Sequence, residues 1–274
     1  MAKYYFRNVG TSWNVATNWS TTSGGSGDGQ VPGTNDDAEF DANSGNCTQD
    51  VNNDFVNSLT TTSGYTGTLT IASSLFCDGG GCTLNGGTIS VSSDKFLRAG
   101  DAGFVVGSGA TLTGDGLVIL RKATAGTATY NYSGTFGCDV AIDRDSADWT
   151  LQFSGATTFE KYFKDTGNGS SSLTIDGNDQ NITFKGDVDI NINGGTVSWS
   201  AGNGTITFSG DTTQEVNFNG EETEAWDIDT TGTVQLTGAV DPDNITITAG
   251  TLDVNGQSVE TTNMTVALGA RVTD

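Results

Sequence analysis

"AWDIDTTGTVQLTGAVDPDNITITAGTLDVNGQSVETTNMTVALGARV", residues 225–272, repeats one pattern three times. Each copy has an apolar-x-apolar run, a short Gly/Asn/Asp bend and a second such run. The first apolar residues are Trp226, Ile245 and Met264, spaced 19 and 19. Upstream, "NITFKGDVDI" from Asn181 and "GTITFSGDTTQEVNF" from Gly204 extend the series to Ile182 and Ile206, at spacings of 24 and 20. A second series runs Val216, Val234, Leu252 at a spacing of 18. A period near 20 residues without a helical pattern predicts a β-solenoid. One coil cannot bury its apolar face alone, so neighbouring coils must stack on it. The expected fold is all-β, a single-stranded parallel β-solenoid (β-helix) with coils of about 19–24 residues.

The first half has the same grammar with looser spacing, as in "TGTLTIASSLFC", "CTLNGGTISVSS" and "SLTIDGNDQNITF". An antiparallel β-sandwich also fits strands at regular spacing with turn signals between them. Two features favour the solenoid. The period spans two or three strands rather than one, and the bends are too short for Greek-key crossovers. Composition agrees: 39 glycines and only 2 prolines accompany many Thr, Ser, Asn and Asp, with no clusters of helix formers. β-Branched residues favour strands, and Gly, Asn and Asp favour bends.

The chain carries 33 acidic and 11 basic residues, a formal charge of −22. This field repels phosphate backbones, so nucleic acid is not an expected partner. The acids are spread along the chain, as on a solubilising surface; some Asp-rich bends could alternatively hold Ca²⁺. Histidine is absent, which removes His-dependent triads and His-containing zinc sites. No run is long enough to span a bilayer, and "MAKYYFRNVG" lacks the apolar core of a signal peptide. Synthesis in a cytoplasm without membrane insertion is the expectation.

Residues 1–50 differ from the repeats. They hold Tyr4, Tyr5, Phe6, Trp13, Trp19 and Phe40, with a Ser/Gly run from Ser20 to Gly29. A solenoid end exposes unpaired strand edges and an open core, and natural solenoids cover both with a different sequence. We therefore divide the chain into a cap or attachment segment, 1–50, and a solenoid body, 51–274. The six aromatics either lie across the first coil or dock on a partner. The last repeat, "NMTVALGARVTD", has no capping sequence of its own, so a stacked or oligomeric assembly is expected.

The front segment resembles the start of β-helical bacteriophage virion proteins. The matching residues are "YYF" from Tyr4, Trp13, "NWS" from Asn18, "TTSGGSGDG" from Thr21, Pro32, Asp36–Asp37 and "FDANS" from Phe40. The "GTLDVNGQ" coil from Gly250 is also similar in style to β-helical bacterial adhesins. The resemblance implies a non-enzymatic virion component, a capsid decoration or head fibre. A tail-fibre or baseplate part that recognises a host is the alternative, and a cell-surface adhesin comes next. It implies other virion proteins as partners, location in the virion, and no catalytic residues or cofactor. A host surface glycan is a further partner to consider.

The residues offer few other sites. Cys77 and Cys82 flank "DGGG" and are either a disulfide or buried thiols; Cys47 and Cys138 stand apart. A polysaccharide-degrading site would need paired carboxylates, for which the candidates are Asp187/Asp189, Asp143/Asp145 and Asp176/Asp179. Alternate residues share a strand face, so Asp187 and Asp189 could act together. Without histidine and with few bases, an enzyme is not expected. Trp226 aligns with the apolar column and should be core. Trp149 and Trp199 remain as outward aromatics that could meet a sugar.

Overall fold

The computed structural model describes residues 1–132, 135–144, 147–167, 171–190, 195–200 and 202–274. It is a parallel β-solenoid of about 10 turns, with 1% helix. The chain forms two compact units. The first comprises residues 1–123 and 128–140, the second 124–127 and 141–274.

In the first unit each coil contributes three short walls. One wall stacks Asp37–Phe40, Asp54–Thr61, Leu75–Leu84 and Phe104–Val106. A second stacks Cys47–Gln49, Thr68–Ile71, Gly87–Val91 and the start of Ala110–Arg121. The third stacks the start of Asp54–Thr61 and of Leu75–Leu84, then Phe96–Ala99 and the end of Ala110–Arg121. Alternate residues point inward, so each inward position becomes a column. Leu69, Ile89 and Leu112 form one such column, and all three are buried. Each buried aliphatic side chain contributes about 1.5–3 kcal/mol, which a lone coil could not secure. Coil pairing starts before residue 50, because Asp37–Phe40 and Cys47–Gln49 already stand in parallel register with the next coil.

In the second unit the column read from sequence is the column observed. Ile182, Ile206, Trp226, Ile245 and Met264 are successive Cα partners in parallel strands. Beside it, Phe159, Phe184 and Phe208 stack with ring centroids 5.3 and 6.0 Å apart. The second sequence series needs one correction. Val234 does partner Leu252, but Val216 partners Leu236, and the residue opposite Val234 is Gln214. Gln214 is buried in the column because its amide is fully engaged. Nε2 donates to the Phe184 and Gly186 carbonyls, each at 3.0 Å, and Oε1 accepts from the Gly210 N–H at 2.9 Å. A polar residue in an apolar column thus hid the true register.

The bends follow a recurring device. Asp176 accepts from the Asn178 N–H, and Asp253 from the Asn255 N–H. Both asparagines have positive φ, 51° and 48°, a conformation that Asn tolerates better than most side chains. Each then donates Nδ2 to a carbonyl of the preceding coil, Asn178 to Phe153 and Asn255 to Leu236.

Candidate functional surfaces

The N-terminal aromatics form a closed cluster. Trp13, Trp19, Phe6 and Phe40 are at most 1% exposed, and Tyr4 is 8% exposed. Trp19 lies edge-on to Phe6, Trp13 and Phe40, with centroids 5.1, 4.7 and 5.8 Å away. Its Nε1 donates to the Trp13 carbonyl at 2.8 Å. Phe40 reaches Tyr65 of the following coil at 5.4 Å. Lys3–Phe6 pairs antiparallel with Trp19–Ser20 and parallel with Asp37–Phe40, which closes the first wall. Of the six residues considered for docking, only Tyr5 is part-exposed. The docking alternative is therefore corrected for the other five. Their rings are the core of the cap and offer no face to a partner.

The Ser/Gly run is pinned to this cap. Arg7 donates Nε to the Gly25 carbonyl and Nη1 to the Thr17 carbonyl, at 2.9 and 2.6 Å. Asp28 accepts from the Ser20 hydroxyl and from both the Thr21 N–H and hydroxyl. These bonds, the Thr21 N–H first, hold the Asp28 carboxyl below the usual carboxylate range. Gly29 is required by close approach: a Cβ there would meet the Trp19 carbonyl carbon at 2.8 Å.

The four cysteines are free and buried. The disulfide considered for Cys77 and Cys82 is not formed. Cys77 stacks between Val56 and Ala99 on one wall, and Cys82 between Leu59 and Phe104 on the next. Each fills its column as a small apolar group. Burial, followed by the contact with Cys82, pushes the Cys77 thiol well up.

Of the candidate carboxylates, Asp187, Asp189, Asp176 and Asp179 accept hydrogen bonds from the neighbouring coil. Asp187 accepts from the Glu215 N–H at 2.8 Å. Asp189 accepts from Asn217 Nδ2 at 3.1 Å and from the Tyr162 hydroxyl at 3.3 Å. Burial, and then the Asp189 charge, pushes the Tyr162 phenol up to about 12. Asp176 accepts from Gln152 Nε2, and Asp179 from the Asn203 N–H, both at 2.7 Å. Asp145 lies outside the described residues. Among the described residues no group of three Asp, Glu or Cys side chains could hold a metal ion. The bends weighed for Ca²⁺ use their carboxylates instead to cap backbone N–H groups. Trp226 is core, at 1% exposed. Trp149 and Trp199 are buried too, at 3% and 6%, which corrects their reading as outward sugar contacts.

Two buried ionic groups were not anticipated. Arg144 and Asp165 form an ion pair at 2.8 Å with both side chains 0% exposed. Arg144 also donates to the Ser171 and Gly167 carbonyls. In "DRD" the middle residue, Arg144, carries the buried ion pair. Glu224 is 0% exposed and accepts from Trp199 Nε1. Its other oxygen has no hydrogen-bond partner, and burial pushes the carboxyl up. Its place two residues before Trp226, in a strand pattern, was the available signal.

The last coil differs from every other surface. Asn263–Val266 and Arg271–Thr273 are exposed throughout. Met264, Val266, Leu268 and Val272 are 40%, 44%, 106% and 43% exposed. Met264, Val266 and Val272 continue the Ile245, Ile247 and Leu252 columns, so the apolar interior surfaces here. Such an edge accepts another β-layer, whether a following coil or a second chain. No known family, no curated protein and no solved structure matches the chain.

Proposed function

We propose that this protein is a non-enzymatic structural component, a rigid β-solenoid that displays its surface on a larger assembly. The observation that carries this reading is the use made of the outward polar groups. Gln152–Asp176, Asn217–Asp189 and Gln235–Asp253 are bonded from one coil to the next, all within 3.1 Å. A catalytic carboxylate needs a free face toward substrate; these instead join neighbouring coils. The resemblance of the front segment to phage virion proteins narrows the reading to a capsid decoration or head fibre. Cryo-electron microscopy of the particle that contains the chain tests it. Density on the capsid lattice supports decoration, density confined to the tail tip moves the role to host recognition, and absence from the purified particle overturns the virion reading.

A further inference from the structure

One wall of the first unit carries two adjacent files of small hydroxyl residues. Its outward residues form two files. Thr68, Thr88 and Thr111 are successive Cα partners, as are Thr48, Thr70, Ser90 and Thr113. Within a file the residues repeat about every 4.8 Å, and the files lie about 6.6 Å apart, so the hydroxyls occupy a near-rectangular lattice. β-Branched Thr holds few rotamers, which keeps methyls and hydroxyls in register from coil to coil.

Two further observations describe what these files offer. Among the described residues, none of the seven hydroxyls has a hydrogen-bond partner. In the second unit Thr158, Thr183 and Thr207 form a single comparable file, but the Glu160–Lys185 ion pair lies beside it. Charge is also absent: the two files contain no Asp, Glu, Lys or Arg, in a chain with 33 acids. Their occupant should therefore be uncharged, extended in two dimensions, and able to bond a lattice of hydroxyls while packing against methyls. The files hold no aromatic ring, the group that supplies a large, oriented apolar face in binding sites. That favours ordered water over a polysaccharide.

We propose that this threonine wall binds ice, its hydroxyls taking up positions of the water lattice and its methyls filling the spaces between them. The test is partition of the full chain into a slowly growing ice hemisphere, alongside microscopy of ice-crystal shape. The variants are Thr70→Lys with Thr88→Lys on the wall, and Thr183→Lys with Thr207→Lys on the second unit. Circular dichroism and thermal melting check that both fold. The proposal expects the parent and the second-unit variant to enter ice and facet the crystals, and the wall variant to lose both properties. Exclusion of the parent from ice overturns it. So does equal partition of all three, which would mean trapping without a site. Binding of the parent to cellulose or chitin with no uptake into ice reassigns the wall to a polysaccharide. A dimer that Thr70→Lys dissociates, again with no ice uptake, makes the wall an interface between copies.

Discussion

Replacing Trp19 by alanine separates a cap from a docking patch. Trp19 is 0% exposed, touches three aromatic rings and donates to the Trp13 carbonyl. A buried Trp removes roughly 150–250 Å² from water, worth about 4–6 kcal/mol at about 25 cal/mol per Å². Large-to-small core changes at aromatics cost about 3–5 kcal/mol as measured, since the cavity relaxes only in part. The Trp13 carbonyl also loses its donor, at about 1 kcal/mol. We therefore expect Trp19→Ala to destabilise the first unit by about 4 kcal/mol, at the centre of that measured range. Trp19→Phe keeps most of the apolar area and should cost about 1–2 kcal/mol. Urea denaturation, followed by fluorescence of the remaining tryptophans, measures both. Dye binding to exposed apolar surface should rise for alanine only. An unchanged midpoint for Trp19→Ala would refute the reasoning, because a side chain that holds nothing together is not the core of a cap.

Three further outcomes follow from single side chains. Gln214→Leu leaves the Gly186 carbonyl and the Gly210 N–H without this partner, while the Phe184 carbonyl keeps the Ser209 N–H; at about 1–3 kcal/mol for each buried unsatisfied group, it should destabilise despite its greater hydrophobicity, as denaturant titration would show. Burial raises the folded pKa of Glu224 above its unfolded value, so the native state holds this proton more tightly. Its contribution to stability is therefore lost as pH rises through the folded pKa. Glu224→Gln should remove that slope, at most about 1.4 kcal/mol per pH unit, in melts taken from mildly acidic to mildly alkaline buffer. The four buried thiols should react with a soluble disulfide reagent only as fast as the chain opens, so mild denaturant should accelerate labelling sharply.

How much of this was legible in the sequence depended on the period. From Ile182 to Met264 the coil length settles toward 19 residues, and an apolar residue stands at each position of that one column, so the sequence alone aligns it. In the first unit Phe104 partners Tyr130, 26 residues on, and the walls break at bends of unequal length. There the strands were visible but their register was not. Gln214 escaped because burial of an amide depends on three backbone groups that only the folded chain assembles. The cap aromatics stand out in the sequence, yet an aromatic cluster reads the same there whether its rings face inward or outward. The threonine files were hidden for a related reason: "TLT", "TIS" and "TLT" are ordinary strand sequences until stacking places them in one plane.

The in-register parallel stack underlies every surface described, and disulfide trapping tests it directly. Thr183 and Thr207 are Cα partners on the outside of the second unit. Neighbouring strands lie about 4.8 Å apart, within the Cα range that a disulfide spans. Ser209, two residues on, would lie about 8 Å from Thr183, beyond that range. Mild oxidation of Thr183→Cys with Thr207→Cys should give an intramolecular cross-link, visible as a faster-migrating band that reduction reverses. Thr183→Cys with Ser209→Cys should stay open. Cross-linking of the second pair in preference to the first, or of neither, would contradict the solenoid register on which the account stands.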